Sequence, residues 1–591
     1  MGVQFFNLLS TSDYFTCEKI VLEKINCRLD RLLAKRIVEK IYRNEKLTAT
    51  QKKKLIDILQ SNYSLLSDQI EKTYQFLQFF IPITERIKEN ISSLIVKVFS
   101  GSMTVFYYCL GAYVFDHPNI IETAKQILIE VAKKNLNDDI GIIGYNLSVD
   151  LESIYLKSKK WIDNAYKEAI KYGAIIEKYD AISFNSEYIE QIKLIDGIPY
   201  VKLKILHPDF EYGLQCGVLY HNLIVKKRIE EEDTGIIESF YKCIICRYSF
   251  LLDNDEEKKE VIFNLLKSQF SIRNTTDIFY FLTGNFQSFI LSILSYIYTR
   301  FLILYFFTNK TMELINKKDI KKNMLGGNLI DDKQFEDYYN LIVSDNAFNR
   351  HYLVIGDKIV LGRWQFDLDL SIVEIAKKIT LNAKGKSEIG SNVNYFGKEV
   401  YEHLIRRILK DQGWAVVPFP IKMKEGKRIR TDVDLIAYNK GIVLIGQIKL
   451  ANSGRSRYEI WKAKQSVDEA LAQVNYSYQR LKSDSCLLYS ILKKNDICQQ
   501  KRQIEKIIPI VITSSNYFLG VQNHTQIPVV SWDIFDQIIK STNHYNTLMD
   551  LDGYFKNILL LYNCGVEKKI INSEIKCKEY IIEYEEFNTF N

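Results

Sequence analysis

The chain lacks the residue patterns that mark several common protein classes. Its ten cysteines are scattered without paired spacing and its seven histidines do not cluster, so no disulfide framework is encoded. The one CxxC, Cys243 to Cys246, has only Cys216 and His221 upstream. That is a poor second pair for zinc, and two buried thiols are the better reading. No Ser or Cys sits in a nucleophile elbow, which leaves Ser-His-Asp hydrolysis without support. No GxxxxGK[ST] loop occurs, so no ATP site is expected. Internal repeats and low-complexity tracts are missing too. The opening Met1-Gly2-Val3-Gln4-Phe5-Phe6 has no basic segment leading into a long apolar one. With the unpaired cysteines this implies a cytoplasmic location. Prolines number eight, and Lys, Ile, Asn and Tyr abound; that is the imprint of an AT-rich genome and carries no functional weight.

Long apolar runs are scarce as well. The most membrane-like, Phe286 to Phe307, contains Gln287, three serines and Arg300. A lipid-facing Arg is costly, so a buried core helix is expected and no membrane partner.

What is present is an ordinary globular composition, 47% hydrophobic and 26% charged. At 591 residues the chain is too long for one core, and two to four domains are expected. The net charge of +7 is compatible with nucleic acid, although a solvated Lys-rich face is commoner.

Apolar residues at helical spacing predict helices over Cys17–Arg43, Lys54–Phe80, Ile120–Lys134 and Leu151–Tyr172, the last ending at Gly173. The period changes to two over Gln191–Leu206, a hairpin around Asp196-Gly197. Aromatic-rich helical segments return over residues 235–311, and a softer zone with Gly326-Gly327 follows. Tyr352 to Phe366 reads as a second hairpin, around Gly356-Asp357. The Gly/Ser/Asn-rich stretch from Asn382 to Asn394 reads as a linker. After it the texture becomes α/β. The divisions expected are a mainly helical region over 1–335, a connecting segment over 336–390, an α/β domain over 391–545 and a C-terminal extension over 546–591.

That α/β region carries the chemistry. A helix beginning near Gly397 bears Glu399 and Glu402; at 100° per residue, Glu402 falls at the flank of the apolar face and Glu399 toward solvent. Glu402 is therefore the preferred acid and Glu399 the runner-up, although both equally suit a solvated face. Asp432 and Asp434 follow on one predicted strand. Gln447 and Lys449 share a face at the end of a second, with Val443 and Ile445. Polar groups at the end of so apolar a strand need partners or a task. Phosphodiester hydrolysis needs a hard cation held by oxygen ligands and a positive group beside the developing charge, and Glu402, Asp434, Gln447 and Lys449 supply such a set. The set carries a geometric condition: a regular three-residue loop at Asn439-Lys440-Gly441 would turn Asp434 away from Gln447. A two-residue turn or a bulge restores the shared face.

From near Tyr395 to near Ile539, this order of parts resembles the PD-(D/E)XK nuclease superfamily, in its Mrr-like form with D…QxK. The resemblance implies a restriction-endonuclease-like α/β/α domain with a mixed central sheet. It further implies a magnesium- or manganese-dependent endonuclease of restriction or defence type acting on DNA in preference to RNA. In that family the residue matching Asp434 is the invariant metal ligand, that matching Gln447 the variable one, that matching Lys449 the catalytic lysine and that matching Glu402 the helix acid; Asp432 is a further candidate acid. Val433 replaces the family's proline, and Gln447 removes one charge, so weaker metal binding is expected. A glutamine-bearing helix commonly follows the lysine strand, and Gln465 and Gln473 occupy one here. Lys422, Lys424, Lys427, Arg428 and Arg430 before the site, with Arg455 and Arg457 after it, suit a phosphate backbone, or equally a solubilised loop. The N-terminal region would sense a trigger or protein partner. The rival reading is a catalytically inactive nucleic-acid-binding or interaction protein on the same scaffold.

Overall fold

The computed structural model describes residues 3–24, 31–99, 102–117, 120–136, 151–184, 187–208, 211–212, 214–215, 255–269, 285–308, 310, 312–324, 327–344, 352–365, 402–425, 428–449, 457–498, 500, 504–513, 520–522, 526–542, 545–557 and 566–589. The linker stretch, the CxxC, Cys216, His221, Glu399, Lys427 and Arg455 lie outside them.

The N-terminal third is helical: α1 (Val3–Thr11), α2 (Tyr14–Lys19), α3 (Arg31–Tyr42), α4 (Ala49–Asn62), α5 (Ser67–Phe99), α6 (Met103–Asp116), α7 (Glu122–Asn135) and α8 (Leu151–Phe184). Two expectations change. The helix expected over Lys54–Phe80 is two, because Tyr63 caps α4 with its N–H on the carbonyls of Leu59 and Gln60. The polar run Ser61-Asn62-Tyr63-Ser64 competes for backbone bonds there. Gly173 does not end α8; the helix continues to Phe184. A Cβ at Gly173 would stand 3.3 Å from Ile127 Cδ1 and 3.4 Å from Thr123 Cγ2, so this glycine admits α7 at close range.

The expected hairpins are present, the first as β1 (Glu187–Ile195) with β2 (Ile198–Ile205), turning at Asp196-Gly197, and the second over Leu353–Gly362. Between them lie α9 (Glu256–Gln269), α10 (Asn285–Phe307), β3 (Met312–Asn316), α11 (Lys317–Asn323) and α12 (Asp332–Ser344). β4 (Leu353–Ile355) and β5 (Lys358–Gly362) join β3 in a three-stranded sheet. α10 is the apolar run; Arg300 within it, half-buried, pairs with Glu313 of β3. No helix of the described residues is long and apolar enough to cross a membrane.

The C-terminal part comprises α13 (Glu402–Asp411), β6 (Ala415–Val416), β7 (Ile421–Glu425), β8 (Arg428–Val433), β9 (Leu435–Asn439), β10 (Ile442–Lys449), α14 (Arg457–Ser483) and α15 (Ser485–Lys494). It continues with β11 (Lys506–Thr513), β12 (Gly520–Gln522), β13 (Ile527–Ser531), α16 (Trp532–Ser541), α17 (Tyr545–Met549), α18 (Leu551–Lys556), β14 (Val566–Lys576) and β15 (Ile581–Thr589). A mixed six-stranded sheet runs β12-β13-β11-β10-β9-β6, with β10, β11 and β13 parallel. β10 is buried on both faces, as its continuous apolar run demands. Ile442, Leu444 and Ile448 pack with Ile405 and Leu409 of α13 and Phe535 of α16. Val443 and Ile445 pack with Val467, Ala470 and Leu471 of α14 on the opposite face.

The terminal hairpin β14–β15 joins the first one: β15 runs parallel to β2 in a sheet of order β1-β2-β15-β14. Tyr200 donates to Glu583 at 2.7 Å, and Tyr580 to the Lys171 carbonyl at 2.8 Å. Nothing in the sequence announced that pairing, because the two strands stand almost four hundred residues apart.

Candidate active site

The turn after β9 decides the site. Asn439 pairs with Ile442, so the loop is the two residues Lys440 (φ 44°) and Gly441 (φ 92°), both left-handed. Two such residues make the tight hairpin that suits sheet twist. The register sets Leu435 opposite Gly446, and Asp434 directly precedes Leu435 as Gln447 directly follows Gly446. The loop is thus the two-residue form that the condition calls for. A Cβ at Gly441 would come within 3.0 Å of Glu505 Cδ. Gly441→Ala should therefore lose about 1–2 kcal/mol of stability in urea unfolding, from the left-handed penalty alone. An unchanged midpoint would mean the turn is not what holds the register.

Asp432 and Asp434 do not continue one strand as expected. β8 stops at Val433, the chain bends at Asp434, and β9 starts at Leu435. The bend is pinned twice. Arg406 Nη2 donates to the Asp434 carbonyl at 2.7 Å, and the Ile448 N–H donates to Asp434 Oδ2 at 2.9 Å. β8 then leaves the main sheet to pair with β7.

Asp434 is 8% exposed. Burial pushes its carboxyl above the ordinary value, the Ile448 N–H pulls it back, nearby Asp432 raises it, and the cations of Lys449 and Arg406 lower it. Gln447 is 3% exposed, beside Val511 of β11 in the parallel register. Lys449 is less enclosed; its Nζ lies 3.8 Å from Glu469 Oε2 of α14, a mostly exposed carboxylate. β10, β11 and β13 end together, with Lys449 level with Thr513 and Thr513 level with Ser531. Ligands in open α/β sheets bind beyond such carboxyl ends.

Compared with known proteins, the chain matches no family model, no curated protein and no solved structure. What the site can do is therefore argued from its own residues.

Two residues went unnoticed in the sequence. Arg406, 7% exposed, stands one helical turn after position 402 on the same flank of α13. An Arg bordering an apolar face was the available signal. Glu469 stands one turn before Gln473 on α14, and only tertiary packing brings it to Lys449. Glu402 opens α13, but its side chain lies outside the described residues. On α14 the two glutamines part: Gln465 is exposed, whereas Gln473 Oε1 is buried with no hydrogen-bond partner among the described residues. Arg457 is the first residue of α14, its side chain outside the described set. Lys424, Arg428 and Arg430 are exposed, as is Lys422.

Among the described residues no group of three or more His, Cys, Asp or Glu side chains comes together. The donors offered are the Asp434 carboxylate and the Gln447 amide. Both are oxygen ligands, which suits a hard divalent cation and not zinc. A cation beside Asp434 would also favour its charged form against the burial that opposes it.

Proposed function

We propose that the C-terminal α/β part is a restriction-endonuclease-like domain of PD-(D/E)XK type that hydrolyses phosphodiester bonds, with DNA as substrate. The observation that supports this reading is the two-residue β9–β10 turn: its register, carried one residue past the Leu435–Gly446 pair, would bring Asp434 opposite Gln447, with Lys449 at the carboxyl end of β10.

Asp434 and Gln447 would hold magnesium or manganese, with Glu402 as the acid from α13. When bound, the ion supplies phosphate charge neutralisation and a more acidic water. Asp434 is oriented by the Ile448 N–H and by Arg406 on its own carbonyl, so its free oxygen is presented in a fixed direction. Lys449 places a positive charge beside the reacting phosphate, and Glu469 holds that amine between turnovers. Closed circular DNA incubated with magnesium tests the reading: the wild-type chain should nick or linearise it, and a chelator should stop it. Equal cutting by the wild type and by Asp434→Ala would end the proposal.

A role in defence, with the helical N-terminal region sensing a trigger or partner, belongs to the same proposal. Because β15 pairs with β2, the two regions are not separated by simple truncation, and the whole chain is the right subject. Phage plating on cells carrying it should be restored to normal by Asp434→Asn. The rival, a non-catalytic nucleic-acid binder, draws on the uncharged Gln447 and on the burial that opposes ionisation of Asp434.

A further inference from the structure

The ribbon β7–β8 stands apart from the six-stranded sheet, and its two faces differ. Ile421 pairs with Val433 and Met423 with Thr431; Met423 and Val433 are buried against Val467 and Leu471 of α14. This inner face fastens the base of the ribbon to the domain. The pairing then shifts: Lys424 stands opposite Ile429, which leaves Arg430 as an extra residue on β8. Two residues of a bulged strand then oppose one of its partner, and the alternation beyond them reverses.

The shift has a chemical result. Lys422, Lys424, Arg430 and Ile429 come onto the outer face with Asp432, and Arg428 goes to the opposite side. Without the bulge Ile429 would lie on the inner face and Arg428 on the outer one. Lys422, Lys424 and Arg430 are exposed and make no ion pair among the described residues, and Ile429 is 49% exposed. Lys422 and Lys424 stand about 6.6 Å apart along their strand, from a rise of about 3.3 Å per residue. Three exposed cations beside an exposed apolar side chain, on a two-stranded ribbon, match a groove lined by phosphates. A ribbon of this kind enters the major groove of B-form DNA, whereas the deep, narrow major groove of an RNA duplex excludes it.

We infer that the outer face of the β7–β8 ribbon is a docking surface for the major groove of double-stranded DNA, with Lys422, Lys424 and Arg430 on the phosphates and Ile429 against the base edges. The inference deepens the nuclease reading and rests on it for the choice of polymer. β8 ends at Val433, directly before Asp434, so the docked ribbon would bring the backbone beside the reacting residues.

Binding is measured apart from cutting: fluorescence anisotropy of a labelled DNA duplex with the full chain, in chelator, over a salt series. The K422A/K424A/R430A variant should bind at least about ten-fold more weakly near 0.1 M salt, with the slope of log affinity against log salt reduced by about 2.7. R428A should leave the slope unchanged, and K422R/K424R/R430K should keep it. An RNA duplex of the same sequence should bind with the weaker, variant-like slope in every chain. The inference is overturned if the triple alanine variant keeps its slope, if R428A reduces it equally, or if RNA and DNA duplexes respond alike. Circular dichroism of each variant must match the wild type; a misfolded triple variant is replaced by the single substitutions, each expected to reduce the slope by about 0.9. If the slopes behave as expected and the wild type never cuts DNA with magnesium, the nuclease reading fails and the docking surface stands.

Discussion

Asp434→Asn should abolish magnesium-dependent cleavage while making the metal-free protein more stable at neutral pH. The amide keeps an oxygen to accept the Ile448 N–H and leaves the Arg406 bond to the main chain untouched. What it removes is a charge held in a place where burial opposes charge. The sign follows from linkage. The folded-state pKa of Asp434 lies above the ordinary 3.8, so the wild type loses stability relative to the variant as pH rises through the window from 3.8 to that raised value. Above the window the difference is constant; below 3.8 both side chains are neutral and it closes. Each unit of raised pKa corresponds to about 1.4 kcal/mol. Melting curves in chelator from pH 3 to pH 8, both chains side by side, check this. Adding magnesium should reverse the order, since only the wild type gains from ligation, by about 2.7 kcal/mol at one hundred times the dissociation constant. A variant that melts below the wild type in chelator would mean that Asp434 is satisfied inside a structural network.

Lys449→Ala should lower the cleavage rate by about 10²- to 10³-fold and leave duplex affinity in chelator unchanged, because loss of one group that stabilises developing charge has that scale. The side chain is a poor stability element. Its ion pair with an exposed Glu469 at 3.8 Å is worth less than about 1 kcal/mol. Single-turnover rates with saturating enzyme separate the two effects. Glu469→Gln serves as the comparison: if Glu469 only parks the amine, cutting survives its removal with a modest change. If Lys449→Ala binds DNA less tightly and cuts the remaining complex at the wild-type rate, the lysine is a phosphate anchor and not part of the reaction.

Much of the C-terminal fold was legible. The glutamine-bearing helix after the lysine strand is α14, and the apolar strand that ends in Gln447 and Lys449 is β10. These elements bury continuous or one-sided apolar surface, and their local pattern agrees with their final place. Gly173 was misread because a glycine ends a helix or admits a neighbour with the same lettering, and only α7 packing on α8 distinguishes the two. Arg406 was passed over because its task is a bond to a main-chain carbonyl, which leaves no side-chain pattern.

By itself the sequence determined the elements and their faces: which strand is buried on both sides, and where Gln447 and Lys449 share a face. It could state the condition on the hairpin but not whether the condition holds, since a two-residue and a three-residue loop fit the same letters. The tertiary structure decided that point through two left-handed residues at Lys440 and Gly441. It also decided the bend at Asp434, the bulge that carries Ile429 and Arg430 onto one face with Lys422 and Lys424, and the pairing of β15 with β2. Each depends on strand register or on contact between distant segments. A shift of one residue exchanges every side chain between faces, and no local preference of the chain opposes that exchange strongly enough to be read in advance.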